Sequence, residues 1–326
     1  MSLVLNGTTG ITNLPSINSG QIGGNRNVII NGAQEVDQRH AGASVAVSSV
    51  YVTDRWKVQG AGNAGDAEQI DSTIAGFKSS LKYTGDANIA FMQMGQQIEF
   101  KNYAHLVGED VTISFYAKAN NTNGGSTALT VRTRTVTGED GSALFAGSAT
   151  DTSVTISTTA ARYTVARTIP ADSKGFSLEF ALGAHVNNDG LEITGIQLEL
   201  GTVTAFEYKS FGEELALCQR YYQKTYNSDV NPATVTNVGA QITRAHASSG
   251  VFYVELQRNT KVTMRTTPTV TPYSTNGASG KVKGSSDITV SAINDEGANS
   301  FGYPQLASGV SAGNDVRCHY VATAEL

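Results

Sequence analysis

Tyr83, Tyr103, His185, Asn187, Asn188 and Asp189 are residue types that bind sugars. An aromatic ring stacks on the apolar face of a pyranose, while amide, imidazole and carboxylate groups hydrogen-bond its hydroxyls. The same residues have a plainer reading, in which both tyrosines fill a β core and 187–190 is a turn before a strand. Asp54 and Asp189 are the two carboxylates that could be imagined as a glycosidase pair, which needs a fold that holds them within roughly 10 Å. As solvated turn residues they need no such role. No Gly-x-Ser-x-Gly elbow occurs, and no serine has a convincing His and Asp context. Gly20, Gly23 and Gly24 do not open a helix, so they do not cradle phosphate. Five histidines are scattered without His-x-x-x-His or Cys-x-x-Cys spacing, and neither a metal nor another cofactor is expected. Cys218 and Cys318 read as two buried thiols, with a disulfide between them left open. The expectation is a protein that is not an enzyme.

The elements that must position these groups are β-strands. Charged residues make up only 16% of the chain and glycine contributes 34 of 326 residues, the texture of short strands and tight turns. Val111–Ala117 sets Val111, Ile113 and Phe115 on one face and Thr112, Ser114 and Tyr116 on the other. Comparable runs are Asn27–Val36 (broken by Asn31-Gly32), Tyr51–Val58, Phe77–Tyr83, Ile89–Met94, Ala128–Val136, Gly175–Leu182 and Leu191–Leu200. They predict an all-β protein opening with a β-sandwich over 27–209. Further runs, among them Val235–Ile242, Val262–Met264, Asp287–Ile293 and Asp315–Thr323, predict a smaller C-terminal β-sandwich over 227–326. The net charge of −5, without a basic run, gives no support to nucleic-acid binding. No apolar stretch is long enough to cross a bilayer, and the start MSLVLNGTTG lacks a secretory pattern.

Between the two β regions lies one convincing helix, Phe211–Gln223, within a connector over 210–226. Ser210 and Glu213 have capping-box spacing. Phe211, Leu215, Cys218 and Tyr222 fall on one stripe, the side expected to be buried against a domain or a second subunit. Residues 1–26 carry Leu5, Ile11, Leu14 and Ile17 in a Gly/Asn/Thr/Ser background with no sustained period. That pattern suits a segment ordered by a partner, an anchoring or oligomer contact.

Several motifs form a series: NVIINGAQ at Asn27–Gln34, Asp54-Arg55-Trp56, ITGIQLELG at Ile193–Gly201, and Phe206-Glu207-Tyr208 leading to Cys218-Gln219-Arg220-Tyr221-Tyr222. The ending His319-Tyr320-Val321-Ala322-Thr323-Ala324-Glu325-Leu326 completes it. The series, covering residues 27–326, resembles bacteriophage virion proteins of the tail-fibre or tail-spike type. The resemblance implies a jelly roll similar to carbohydrate-binding modules, a connector helix and a small C-terminal β domain. It also implies a homotrimer joined to other virion proteins through the N-terminal segment, placed on a tail or capsid surface after synthesis in the host cytoplasm. Attachment to a host-surface polysaccharide is the function it suggests; a capsid decoration or fibre adaptor without its own receptor is the alternative. Related modules carry an acidic residue for structural calcium where this chain has Thr194-Gly195.

Overall fold

The computed structural model describes residues 26–61, 64–86, 89–121, 125–185, 189–248, 251–254, 258–302, 304–306 and 313–326. Leu5, Ile11, Leu14, Ile17, Asn187 and Asn188 lie outside the described residues. The first half of the chain contributes strands β1 (Val45–Ala46), β2 (Val50–Thr53), β3 (Trp56–Ala61), β4 (Asp66–Asp71), β5 (Ser79–Thr84) and β6 (Phe91–Ile98). A short helix α1 (Phe100–Tyr103) precedes β7 (Asp110–Asn120), β8 (Thr127–Val136), β9 (Ser148–Ile156), β10 (Ala161–Thr168), β11 (Gly175–Leu182) and β12 (Gly190–Leu200). They form two six-stranded antiparallel sheets, ordered β1-β4-β5-β12-β7-β10 and β2-β3-β6-β11-β8-β9. Strict alternation puts Ile113 and Phe115 of one sheet, and Trp56, Met94, Val131 and Phe180 of the other, into a single apolar core. This is the all-β sandwich that the alternation predicts.

Two expected strands differ. Tyr51–Val58 is a hairpin, because Arg55 takes a left-handed conformation (φ 71°) that turns β2 into β3. Residues 27–36 belong to no ladder and turn at Asn31–Gln34, where Asn31 and Gln34 take positive φ. Ile30 exchanges hydrogen bonds with the Gln96 amide of β6 (2.9 and 2.7 Å), and Val28 N–H donates to Leu198 O of β12 at 3.2 Å. The segment therefore ties the two sheets together across one end of the sandwich.

After β12 the chain crosses the outer face of the first sheet. Phe206 and Tyr208 pack on Phe77 at 5.3 and 5.7 Å, and Phe77 packs on Tyr116 at 4.9 Å. Helix α2 (Phe211–Gln219) follows, opened by the expected capping box between Ser210 and Glu213. It ends four residues before the expected Gln223, and Tyr222 instead begins strand β13 (Tyr222–Lys224), paired with the end of the chain. Of the expected stripe, Cys218 and Tyr222 are buried and Leu215 packs on the same cluster, while Phe211 is left out and Glu214 is drawn in. Phe211 is 49% exposed and Leu215 partly so, whereas Glu214 and Cys218 are buried. The cause is Asn31, held at positive φ, whose N–H points to the Glu214 carboxylate and draws that side inward. Cys218 packs there with Ile30, Val36 and Tyr221.

The remaining strands are β14 (Gln241–Ser248), β15 (Val251–Val254), β16 (Arg258–Asn259), β17 (Thr269–Tyr273), β18 (Lys281–Lys283), β19 (Asp287–Ile293), β20 (Ser300–Phe301), β21 (Pro304–Leu306) and β22 (Asp315–Thr323). Seven of them, with β13, make one eight-stranded sheet running from β22 through β14, β15, β21 and β19 to β18, which meets β22 again at Lys283 and Arg317. The C-terminal part is thus a sheet bent round on itself. Val262–Met264 is not a strand, and of Val235–Ile242 only the last two residues are. Cys318 lies in this sheet's core, among Val282, Ile288, Leu306 and Val316, so the two thiols belong to different clusters.

The two halves meet in a buried polar knot built from the motifs singled out above. The Glu325 carboxylate engages both Arg39 and Arg55. Arg55 lies over the Tyr221 ring at 3.7 Å and donates to Gln97 O at 2.6 Å, and Arg39 lies over Tyr222 at 3.9 Å. Asp54 accepts both the backbone and the side-chain N–H of Gln38 (3.1 and 2.9 Å) beside Arg39 at 3.3 Å. Burial pushes the Asp54 carboxyl up to about 6 in spite of those partners.

Candidate functional site

The residues expected to bind sugar do not form one site. Tyr83 (β5), His185 and Asp189 do gather at one rim of the sandwich. The Tyr83 hydroxyl lies 2.9 Å from His185 Nε2, His185 Nδ1 lies 2.7 Å from Gly183 O, and Gly85 N–H donates to Asp189 O at 2.8 Å. The Tyr83 ring is fully buried and its hydroxyl also donates to Ala64 O, so it has no face left for a saccharide. Tyr103 is fully buried as well, 5.5 Å from Phe176 at the start of β11, whereas His185 follows the other end of that strand. At ~3.3 Å per residue these ends lie about 20 Å apart. Asp54 and Asp189 are separated in the same way: Asp54 stands in the polar knot and Asp189 at the His185 rim. The imagined glycosidase pair therefore does not exist in this fold.

The outer face of the second sheet brings together a different set. Strand register aligns Lys57, Gly95, Glu179, Arg132 and Asp151 in one row across β3, β6, β11, β8 and β9. At ~4.8 Å between strands the row is about 19 Å long. The next row holds Gln59, Gln93, Ala181, Thr130 and Ser153. Arg132 donates Nε and Nη2 to the two oxygens of Asp151, both at 2.7 Å, and its Nη1 lies 3.5 Å from Gln93 Oε1. This two-pronged pairing fixes the plane of the guanidinium. The hydrogen bonds from Arg132 hold the Asp151 carboxyl below its ordinary range and raise the Arg132 value in turn.

Glu179 is buried and fully occupied. It takes Arg134 Nε at 3.0 Å, Ser177 Oγ at 3.0 Å and Phe145 N–H at 2.7 Å. The last bond holds Phe145 at φ 61°, a strained conformation for an aromatic residue, and anchors the 138–147 loop along one side of the face. Gly95 leaves room there, since a Cβ would meet Leu144 Cδ1 at 2.8 Å. The half-buried Phe91 stands two residues along β6 from Gln93. The face thus offers a flat, open floor of amide, hydroxyl and ion-paired groups with aromatic residues at its margins.

Sequence reasoning missed this face. Its signal is the two-residue spacing of Arg132 and Arg134, but their partners come from strands whose register no local pattern specifies. Among the described residues no group of three His, Cys, Asp or Glu could hold a metal ion.

No family model matches the chain, and no curated protein matches it. Among solved structures, it is similar to the enzymatically active domain of tailspike protein 4 from bacteriophage CBA120. That match has 16% identity and a TM-score of 0.39, over 56% of this chain and 22% of the tailspike chain. It is also similar to TmCBM61 in complex with β-1,4-galactotriose, at 11% identity and a TM-score of 0.36, over 54% of this chain and 99% of that one. A third is the CBM22-1 xylan-binding domain from Paenibacillus barcinonensis Xyn10C, at 15% identity and a TM-score of 0.33, over 51% and 99% of the two chains.

Proposed function

We propose that this chain is a non-catalytic glycan-binding subunit of a bacteriophage particle, of the tail-fibre type, that holds host-surface polysaccharide on the outer face of its second sheet. The observation that supports it best is the fixed Arg132–Asp151 fork beside Gln93 and Gln59. Sugar hydroxyls pair in vicinal sets, and planar amide, carboxylate and guanidinium edges bind such sets with two hydrogen bonds at once. Among the described residues of this face, the carboxylates of Glu179 and Asp151 are both committed to arginines. Assembly as a homotrimer and attachment through the N-terminal segment follow the resemblance of the motif series.

The second reading is a capsid decoration or fibre adaptor with no receptor of its own. What favours it is the polar knot, which fixes the two halves of the chain against each other as a connecting part requires. A glycan array probed with the purified full chain separates the two readings. Binding to a defined set of saccharides supports the attachment role. Silence across bacterial surface polysaccharides, with the protein located on heads or collars of intact particles, would leave the adaptor.

A further inference from the structure

A trench runs along α2 between the sandwich and the C-terminal sheet, on the opposite side of Gln38 from the polar knot. It consists of a cleft of about 560 Å³ and a smaller one of about 200 Å³, which share Gln38, Ser228 and Asp229. Phe211, Leu215 and Gln219, at i, i+4 and i+8, form one wall. Of the stripe that the sequence assigns to burial, Phe211 and one edge of Leu215 face the trench, while Cys218 and Tyr222 are buried.

The charged groups around Phe211 are all carboxylates. Glu35 and Asp229 form no ion pair among the described residues, and Asp37 is used up by the backbone amides of Arg39, His40 and Gly42. Gln38 is only 2% exposed and lines both clefts. Its two amide hydrogens are committed inward, to Asp54 Oδ2 at 2.9 Å and Tyr222 O at 3.1 Å. Among the described residues no donor meets its Oε1, an acceptor that is not one of the sealed-off buried atoms and is open to whatever fills the trench. The cation on the lining is Lys261, at the far end of the larger cleft.

We propose that this trench is a second saccharide site, selective for amino sugars that carry a free ammonium group. A pyranose face stacks on the half-exposed Phe211 ring, its hydroxyls donate to Gln38 Oε1 and Ser228, and its ammonium lies between Glu35 and Asp229. A ligand with positive charge fits the carboxylates around Phe211, whereas a uronic acid is repelled by them. The site differs in charge and position from the Arg132 face and stands whether or not that face binds glycan.

The test is calorimetric titration of the full chain with a β-1,4-glucosamine tetramer, its fully N-acetylated counterpart, a galacturonate tetramer and a tetralysine peptide. The glucosamine tetramer is expected to bind at least tenfold more tightly than the acetylated form, and galacturonate not at all. Phe211→Ala, at an exposed position, should abolish that binding with the thermal midpoint unchanged, and Asp229→Asn should weaken it at least fivefold. Arg132→Ala should leave it intact. Equal affinity for the acetylated tetramer, binding that survives Phe211→Ala in a folded protein, or binding of tetralysine alone would each overturn the proposal.

Discussion

Glu99, directly after β6, accepts Nε and Nη2 of Arg220 at 2.9 and 2.7 Å, joining positions 121 residues apart in the chain. Tyr221 adds its hydroxyl at 2.9 Å, so one nearly buried carboxylate ties the sandwich to the end of α2. Burial opposes ionisation of Glu99, but the hydrogen bonds from Arg220 and Tyr221 outweigh it and hold the carboxyl below its ordinary value. Removing it strands a guanidinium and a phenol together. Glu99→Ala should therefore cost about 2–3 kcal/mol in denaturant unfolding, somewhat less than a fully buried pair because Arg220 is partly exposed. A loss under about 0.5 kcal/mol would show that the pair does not hold the halves together.

The C-terminal residues close the same knot. Arg265 donates to Ala324 O and Glu325 O, both at 3.0 Å, while the Glu325 side chain reaches Arg39 and Arg55. Deleting Glu325 and Leu326 leaves two guanidiniums without their shared carboxylate. Limited proteolysis should then cut between the sandwich and the C-terminal sheet at protease levels that leave the intact chain whole. Equal resistance of the two proteins would contradict this.

The acid dependence of the knot has a definite sign at Asp54. Its folded value of about 6 lies above the ordinary value of 3.8, so between these limits the folded protein holds a proton that the unfolded chain releases. The stability tied to this group is present at low pH and is lost as pH rises through about 6. Unfolding free energies at pH 5 and pH 7 should show a contribution favouring pH 5 that disappears in Asp54→Asn. The same pH dependence in both proteins would rule Asp54 out as its source.

Position 195 is closed to any side chain. Gly195 sits in the β12 bulge at φ 59°, and a Cβ would come within 2.4 Å of the Phe77 ring and 2.9 Å of the Tyr116 ring. Gly195→Ala should lower the thermal midpoint through strain and overpacking, at a cost of about 2–3 kcal/mol. The Phe206–Tyr208 segment should loosen with it, visible as faster amide exchange there. An unchanged midpoint would mean that the ring cluster yields freely.

The helix face yields a contrast between neighbours. Leu215→Asp places its charge at the edge of the Ile30, Val36, Cys218 and Tyr221 cluster, where the side chain is only partly buried and the charge can reach the trench, and should cost about 1–2 kcal/mol. Cys218→Asp buries a charge among Ile30, Val36 and Tyr221 and should prevent folding or cost several kcal/mol. Equal effects from the two changes would restore the stripe that periodicity suggests.

The sandwich was legible because its strands alternate cleanly, as Val111–Ala117 does, and the capping box at Ser210 and Glu213 marked the start of α2. The end of α2 was not, since Tyr222 has a helix-compatible position and only pairing with Thr323 draws it into a strand. The burial of Glu214 was hidden for a related reason: its partner is an amide from position 31, set free by a left-handed turn. Tyr83 and Tyr103 carried sugar-binding chemistry in their side chains, but burial decides whether that chemistry is available, and burial follows from strand register. The Arg132 face needed five strands in register before its row existed.

The central claim is that the outer face of the second sheet holds saccharide through the Arg132–Asp151 fork and its glutamine neighbours. Its most direct test takes whichever saccharide binds on the array and titrates it against the wild-type chain and Arg132→Ala/Gln93→Ala. The account predicts at least a tenfold loss of affinity in the double variant with its thermal unfolding little changed. Undiminished affinity in that folded variant would contradict it.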